Sequence, residues 1–239
     1  MTKIQCPNPD NDIKQLRAGA YRLVQKGLFG AAEQRTDIRS VSYNNDEIIR
    51  SIMTLYCPKG FDLDPTYSSG QFYKKIPQPL YKFDLKPKYH YVQQADVRKL
   101  PFDDNSLNSI MFDPPFLAGI SKRGGIMKER FGTYKNIQTD LWGMYHDAIK
   151  ELHRILKPEG ILVFKCQDTI DQRKQYLSHV QVINEAVHVG FYPEDIFILL
   201  ARARIVNEKK QYHARKYHSY FIVFRKKPSP VIYSTPYQK

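Results

Sequence analysis

The chain is poor in cysteine, tryptophan, acid and long apolar runs, and each shortage excludes something. Cys6, Cys57 and Cys166 are the only cysteines among 239 residues. An odd, scattered trio gives no disulfide framework, its spacing gives no zinc site, and it fits a reducing compartment such as a cytoplasm. No apolar run approaches the ~18 residues that a membrane span needs. The opening MTKIQCPNPDND lacks the apolar core of a secretory signal. No internal repeat or low-complexity block is present. Acidic residues number 24 against 37 basic ones, which leaves a net charge of +13. That balance suits a polyanion or an anionic surface as partner, although basic soluble proteins without such a partner share it. The chain does have 42% hydrophobic residues and enough length for one well-buried α/β domain.

The apolar pattern changes along the chain. Residues 1–40 read as a polar lead-in, partly helical, with Ile13, Leu16, Ala20, Val24 and Leu28 at helical spacing. Ile48, Ile49, Ile52, Met53 and Tyr56 line one face of a second helix, with Asn44, Asn45 or Asp46 as its cap and Pro58 as its stop. Four short strands follow, ending at Asp64, near Asp84, at Asp96 and at Asp113. Leu141, Tyr145, Ala148, Ile149, Leu152, Ile155 and Leu156 mark an amphipathic helix closed by Lys157-Pro158-Glu159-Gly160. GILVFKCQD is a fifth strand, His179 to Val189 a helix ended by Gly190, and DIFILLAR and SYFIVFRK are two final strands. Strands alternating with helices predict an α/β fold whose sheet is largely parallel and covered on both faces.

Four strands thus end in an acid. Ligands of open parallel sheets bind beyond the carboxyl ends of the strands. A carboxylate at the end of a buried strand is costly unless it is solvated or bound to something. Each Asp alone reads equally well as a turn starter or a cap. Four in register ask for a ligand.

At these residues a resemblance enters. FDLDPTYSSGQFY, QADVRKLPFDDNSLNSIMFDPPF and ELHRILKPEGILVFK together resemble the S-adenosylmethionine-dependent methyltransferases of the Rossmann-like class, and more narrowly the amino-methylating DNA methyltransferases. The likeness covers roughly residues 46–226. It implies a mostly parallel seven-stranded sheet with a C-terminal antiparallel hairpin. It also implies a methyltransferase domain over residues 41–228, with residues 229–239 as a tail. The hallmark is Asp113-Pro114-Pro115-Phe116. An exocyclic base amine is a poor nucleophile, because its lone pair is delocalised into the ring. Two acceptors can hold its hydrogens and aim the lone pair at a methyl group: the Asp113 carboxylate and, as the resemblance implies, the Pro114 carbonyl. Pro-Pro fixes φ and so pre-organises that carbonyl. Phe116 offers a face for stacking. Transfer then depends on positioning and on stabilising the developing ammonium.

The resemblance also implies S-adenosyl-L-methionine as cofactor. Asp64-Pro65-Thr66-Tyr67-Ser68-Ser69-Gly70 matches the tight turn that approaches the methionine moiety, with one departure: Ser68 stands where the family usually has glycine. Asp84 matches the acid that accepts the ribose hydroxyls. Asp96 matches the acid beside the adenine ring, with Val97 next to it. No metal is implied.

Residues 117–140 form a long polar segment with Lys122, Arg123, Lys128, Arg130 and Lys135, the candidate nucleic-acid contacts. It reads either as a lid over a flipped nucleotide or as a solvated surface loop. A second basic stretch, Arg202 to Lys227, either grips phosphate backbone or forms the bend between the last two strands. The seven histidines read as structural or solvent-facing, and Cys166 as a core residue. The expected function is methylation of an adenine-N6 amine in DNA, with cytosine-N4, an RNA base, or an idle nucleic-acid binder of the same fold as alternatives. A modification enzyme of this type would suit a bacterial cell or a virus-infected host.

Overall fold

The computed structural model describes residues 37–116, 140–171, 173–202 and 212–227. The lead-in with its expected helix, most of the 117–140 segment and the 229–239 tail lie outside the described residues. Among the described residues the α-helices are α1 (Asn45–Tyr56), α2 (Trp142–Ile155) and α3 (Ser178–Val189). The Asn44 side chain caps α1 by accepting from the Asp46 N–H at 2.9 Å. Gly190, left-handed at φ 114°, ends α3.

The strands begin with β1 (Val41–Ser42), β2 (Leu63–Asp64), β3 (Tyr81–Asp84), β4 (Gln93–Gln94) and β5 (Leu107–Phe112). They continue with β6 (Leu156–Cys166), β7 (Thr169–Asp171), β8 (Lys174–Tyr176), β9 (Phe191–Leu200) and β10 (His218–Lys226). The main sheet has eight of them in the order β1-β9-β10-β6-β5-β2-β3-β4. Every neighbouring pair is parallel except the two made by β10. This is a Rossmann-like α/β sheet, mostly parallel with an antiparallel C-terminal hairpin of β9 and β10. Strands β7 and β8 form a separate hairpin.

The structure differs from expectation in four places, the β7–β8 hairpin being one. The sheet has an eighth strand, because Val41 and Ser42 add in parallel to the open edge of β9 opposite Ile198 and Leu199. The third of the acid-ended strands stops at Gln94, and Asp96 instead makes an isolated bridge with Lys99. Strand β6 begins at Leu156, because Leu156 already pairs with Leu107 while Ile161 pairs with Ser109. Lys157 to Gly160 bulge between those pairs, with Glu159 at φ 65°.

Strand alternation sorts the core into two layers. Leu162, Phe164 and Cys166 of β6 face α2 and α3, whose buried stripe includes Tyr145, Ala148, Leu152, Val182 and Ala186. Ile161 and Val163 face the other way, onto Ile48, Ile49 and Ile52 of α1. The chain runs outward from β2 through β3 to β4, then returns to place β5 on the opposite side of β2. The gap beyond the carboxyl ends of β2 and β5 is therefore the topological switch point.

Candidate active site

Asp64 ends β2 and Asp113 follows β5, one on each side of the switch point. Thr66 ties the two together. Its Oγ1 donates to Asp64 Oδ1 at 3.2 Å and accepts from the Asp113 N–H at 3.0 Å. The turn after β2 is also fastened to the end of β3: Tyr67 N–H donates to the Phe83 carbonyl at 3.0 Å, and Ser68 N–H donates to Asp84 Oδ2 at 2.9 Å. The other Asp84 oxygen accepts from Lys86 N–H at 2.8 Å. Ser68 adopts φ 51° to make this turn, and Gly70 follows at φ 65°. A Cβ on Gly70 would lie 2.4 Å from the Tyr67 hydroxyl, so the position has no room for a side chain.

A cavity opens at this edge of the sheet. Thr66, Ser68, Asp84, Asp96, Asp113 and Pro114 all line it, as do Pro65, Val97 and Pro115. Nine of the residues expected from the sequence thus share one wall. Leu85, Arg98, Phe112 and Met144 also line it and were not foreseen. Asp64 lines an adjoining cavity with Phe72 and Tyr73, and Thr66, Ser68 and Asp113 border both. Gly70 lines neither. Phe116 is half-buried at the end of its described segment. Lys122, Arg123, Lys128, Arg130 and Lys135 lie outside the described residues.

The electrostatics separate the acids. Asp96 is held below the usual carboxylate range, first by the Arg98 side chain, whose Nε lies 2.9 Å from Oδ1. Burial pushes Asp64 up to about 7, against hydrogen bonds from Tyr73 Oη at 2.8 Å and from Thr66. Burial also raises Asp113, and Lys165 opposes that rise. Lys165 Nζ stands 3.4 Å from Asp113 Oδ1. Lys165 was not singled out from the sequence, where a lysine inside a strand run reads as solvent-facing. On the far side of the tetrapeptide, the Tyr145 hydroxyl donates to the Pro115 carbonyl at 2.8 Å. The Pro114 carbonyl receives no hydrogen bond from the described residues.

The second basic stretch divides between the two edges of the sheet. Strand β10 runs against its neighbours, so its end lies at the amino edge, away from Asp113. There Arg225 Nε bonds Glu194 at 3.0 Å, and Lys227 Nζ bonds Glu159 at 3.2 Å. Lys226 Nζ donates to the carbonyls of His153 at 2.6 Å and Leu156 at 2.7 Å. These three cations have partners within the fold, at the edge opposite Asp113. Arg202, Arg215 and Lys216 fall at the carboxyl edge, while Arg204, Lys209 and Lys210 lie outside the described residues.

Two further groups have partners or burial within the fold. His179 Nδ1 lies 2.7 Å from Asp168 Oδ1, and its ring stacks on Tyr220 at 4.4 Å. Cys166 is fully buried, and burial raises its thiol well above the ordinary value, as for a core residue. No group of three metal-ligating side chains occurs among the described residues, and none of their helices is long and apolar enough to cross a membrane.

No family model and no curated protein matches the chain. Among solved structures, similarity is found to a candidate DNA modification methylase of Thermus thermophilus, at 19% identity and TM-score 0.41 over 60% of this chain and 56% of that one. The PvuII DNA methyltransferase, named as cytosine-N4-specific, is 18% identical with TM-score 0.41 over 58% and 49%. TrmN from Thermus thermophilus is 14% identical with TM-score 0.40 over 87% and 53%. The chain spans about half the length of each of these three proteins.

Proposed function

We propose that the chain is an S-adenosyl-L-methionine-dependent methyltransferase acting on an exocyclic amine of a DNA base, adenine-N6 foremost. One observation carries this reading: Asp113, Pro114 and Pro115 share a cavity at the sheet's switch point with Asp84 and Asp96. The cavity fits the cofactor chemically. Asp84 would receive ribose hydroxyls, Asp96 and Val97 would border the adenine, and Phe112 and Met144 give apolar wall for a flat ring. The backbone turn at Thr66 and Ser68 would border the methionine end. When bound, the cofactor supplies an electrophilic methyl on a sulfonium.

The chain's own residues would do the rest. Asp113 accepts one hydrogen of the amine, and the Pro114 carbonyl accepts the other. The carboxylate also stabilises the ammonium that develops during transfer. Thr66, through its hydrogen bond to Asp113 N–H, and Tyr145, through Pro115, fix the tetrapeptide in place. The proton can leave to solvent afterwards, so no general base is required. Cytosine-N4 offers the same amine to the same pair of acceptors. The net charge of +13 suits a polyanion, with Lys122, Arg123, Lys128, Arg130 and Lys135 as phosphate contacts.

The test separates chemistry from binding. Asp113→Ala should abolish methyl transfer to unmethylated duplex DNA yet keep cofactor affinity within about threefold, since it removes an acceptor of the amine. Asp84→Ala should weaken the cofactor by about tenfold or more, measured by calorimetry. Surviving transfer in the first variant removes Asp113 from its role. An unchanged dissociation constant in the second removes Asp84 from the site.

A further inference from the structure

Lys165 is a lysine near the end of a central strand of the sheet. It lies on β6 with its side chain only 13% exposed. Its ammonium stands over two aromatic rings, 4.6 Å from the centre of Phe72 and 5.5 Å from that of Phe221. A cation buried this far is unfavourable unless it is paired. Its partner is Asp113 Oδ1, at 3.4 Å. That oxygen is itself buried and has no aligned hydrogen-bond donor among the described residues, so Lys165 is what faces it.

The neighbours of Asp113 make this pairing matter. From β2 it faces Asp64, from the short turn over Gln71–Tyr73 the Tyr73 hydroxyl, and from β6 the Cys166 thiol and Lys165. Three of these groups are acids. Lys165 is the one cation in this set. Burial favours a protonated Asp113, which would lose its charge and with it most of its pull on a developing ammonium, and Lys165 opposes that.

We propose that Lys165 is a positioning residue for methyl transfer: it holds Oδ1 of Asp113, keeps the carboxylate ionised, and leaves Oδ2 to receive the acceptor amine. The aromatic rings matter because they hold the ammonium on one side of the carboxylate. With Oδ1 engaged by Lys165, the amine has two acceptors, Oδ2 and the Pro114 carbonyl, for its two hydrogens. This role rests on the amine-methylation reading, but the pairing itself can be measured without turnover.

The experiment compares wild type, Lys165→Met and Lys165→Arg. Methionine keeps the buried stem against Phe72 and Phe221 and removes the charge. The protein is labelled with carbon-13 at aspartate carboxyls and titrated by NMR. The Asp113 resonance is identified by its loss in Asp113→Asn. In Lys165→Met its midpoint should rise by about one pH unit or more, and in Lys165→Arg by less. An unchanged midpoint in Lys165→Met overturns the pairing.

The second readout is the pH profile of transfer to unmethylated duplex DNA. The acid limb should move up with the NMR midpoint in Lys165→Met, and kcat at pH 7 should fall about tenfold, with the cofactor KM little changed and partial rescue by arginine. A midpoint that moves while the rate profile stays put overturns the positioning role. Absence of transfer by wild type to duplex DNA, single-stranded DNA and RNA overturns the methylation reading and this role with it, while the titration still decides the pairing.

Discussion

Ser68 occupies the left-handed region at φ 51°, where its N–H meets Asp84. An L side chain there costs about 1–2 kcal/mol, and glycine avoids that cost while giving back part of it as unfolded-state entropy. Ser68→Gly is therefore expected to be neutral or stabilising by up to about 1 kcal/mol, and Ser68→Val to destabilise by about 1–2 kcal/mol, in urea unfolding. An equal loss in both variants would contradict the strain. The acid at the neighbouring strand end makes a pH prediction. Burial raises Asp64 to about 7, so the folded protein holds this proton to higher pH than the unfolded chain does. Stability contributed by the neutral form is complete below about pH 4 and declines as pH rises to about 7. Urea unfolding between pH 5 and 8 should show that decline in wild type and a flatter curve in Asp64→Asn. Parallel curves would mean that Asp64 titrates normally. The identities of both residues were plain in the sequence, but their states were not. A sequence shows that serine replaces glycine at position 68; only the backbone shows that serine adopts the glycine conformation.

Among the elements, the junction of α2, β6 and β10 shows how a surface-looking charge becomes structural. Lys226 is 9% exposed, and its ammonium reaches the carbonyls of His153 and Leu156 and the Asn105 side chain at 2.8 Å. It closes the carbonyl end of α2 from a neighbouring strand. Lys226→Met should lower stability by about 2–3 kcal/mol, because those carbonyls would be left buried and unpaired. The same variant should leave the salt dependence of DNA binding unchanged. A stable protein with weakened DNA binding would return Lys226 to the phosphate contacts. Strands β2, β3 and β5 were legible because each is a short apolar run stopped by an acid or Pro-Pro. Strand β1 and the β7–β8 hairpin were not, since Val-Ser, Thr-Ile-Asp and Lys-Gln-Tyr are not apolar runs. Lys165 was hidden for another reason: the register that sets Phe164 opposite Phe112 brings it close to Asp113.

At the scale of the whole molecule, the strand order does the assembling. Asp64, Asp84, Asp96 and Asp113 are well separated along the chain, yet parallel strands deliver all four to one edge, and the reversal between β2 and β5 opens the cleft between them. The two core layers on either side of β6 make that edge rigid, which suits a reaction governed by position. The most direct measurement is transfer of labelled methyl from S-adenosylmethionine to unmethylated duplex DNA, single-stranded DNA and bulk RNA, followed by identification of the labelled nucleoside. Label is expected on an adenine amine in DNA and is lost in Asp113→Ala. Label on RNA alone would keep the chemistry and overturn the DNA substrate, and no label on any acceptor with the cofactor bound would contradict the amine-transfer role of Asp113.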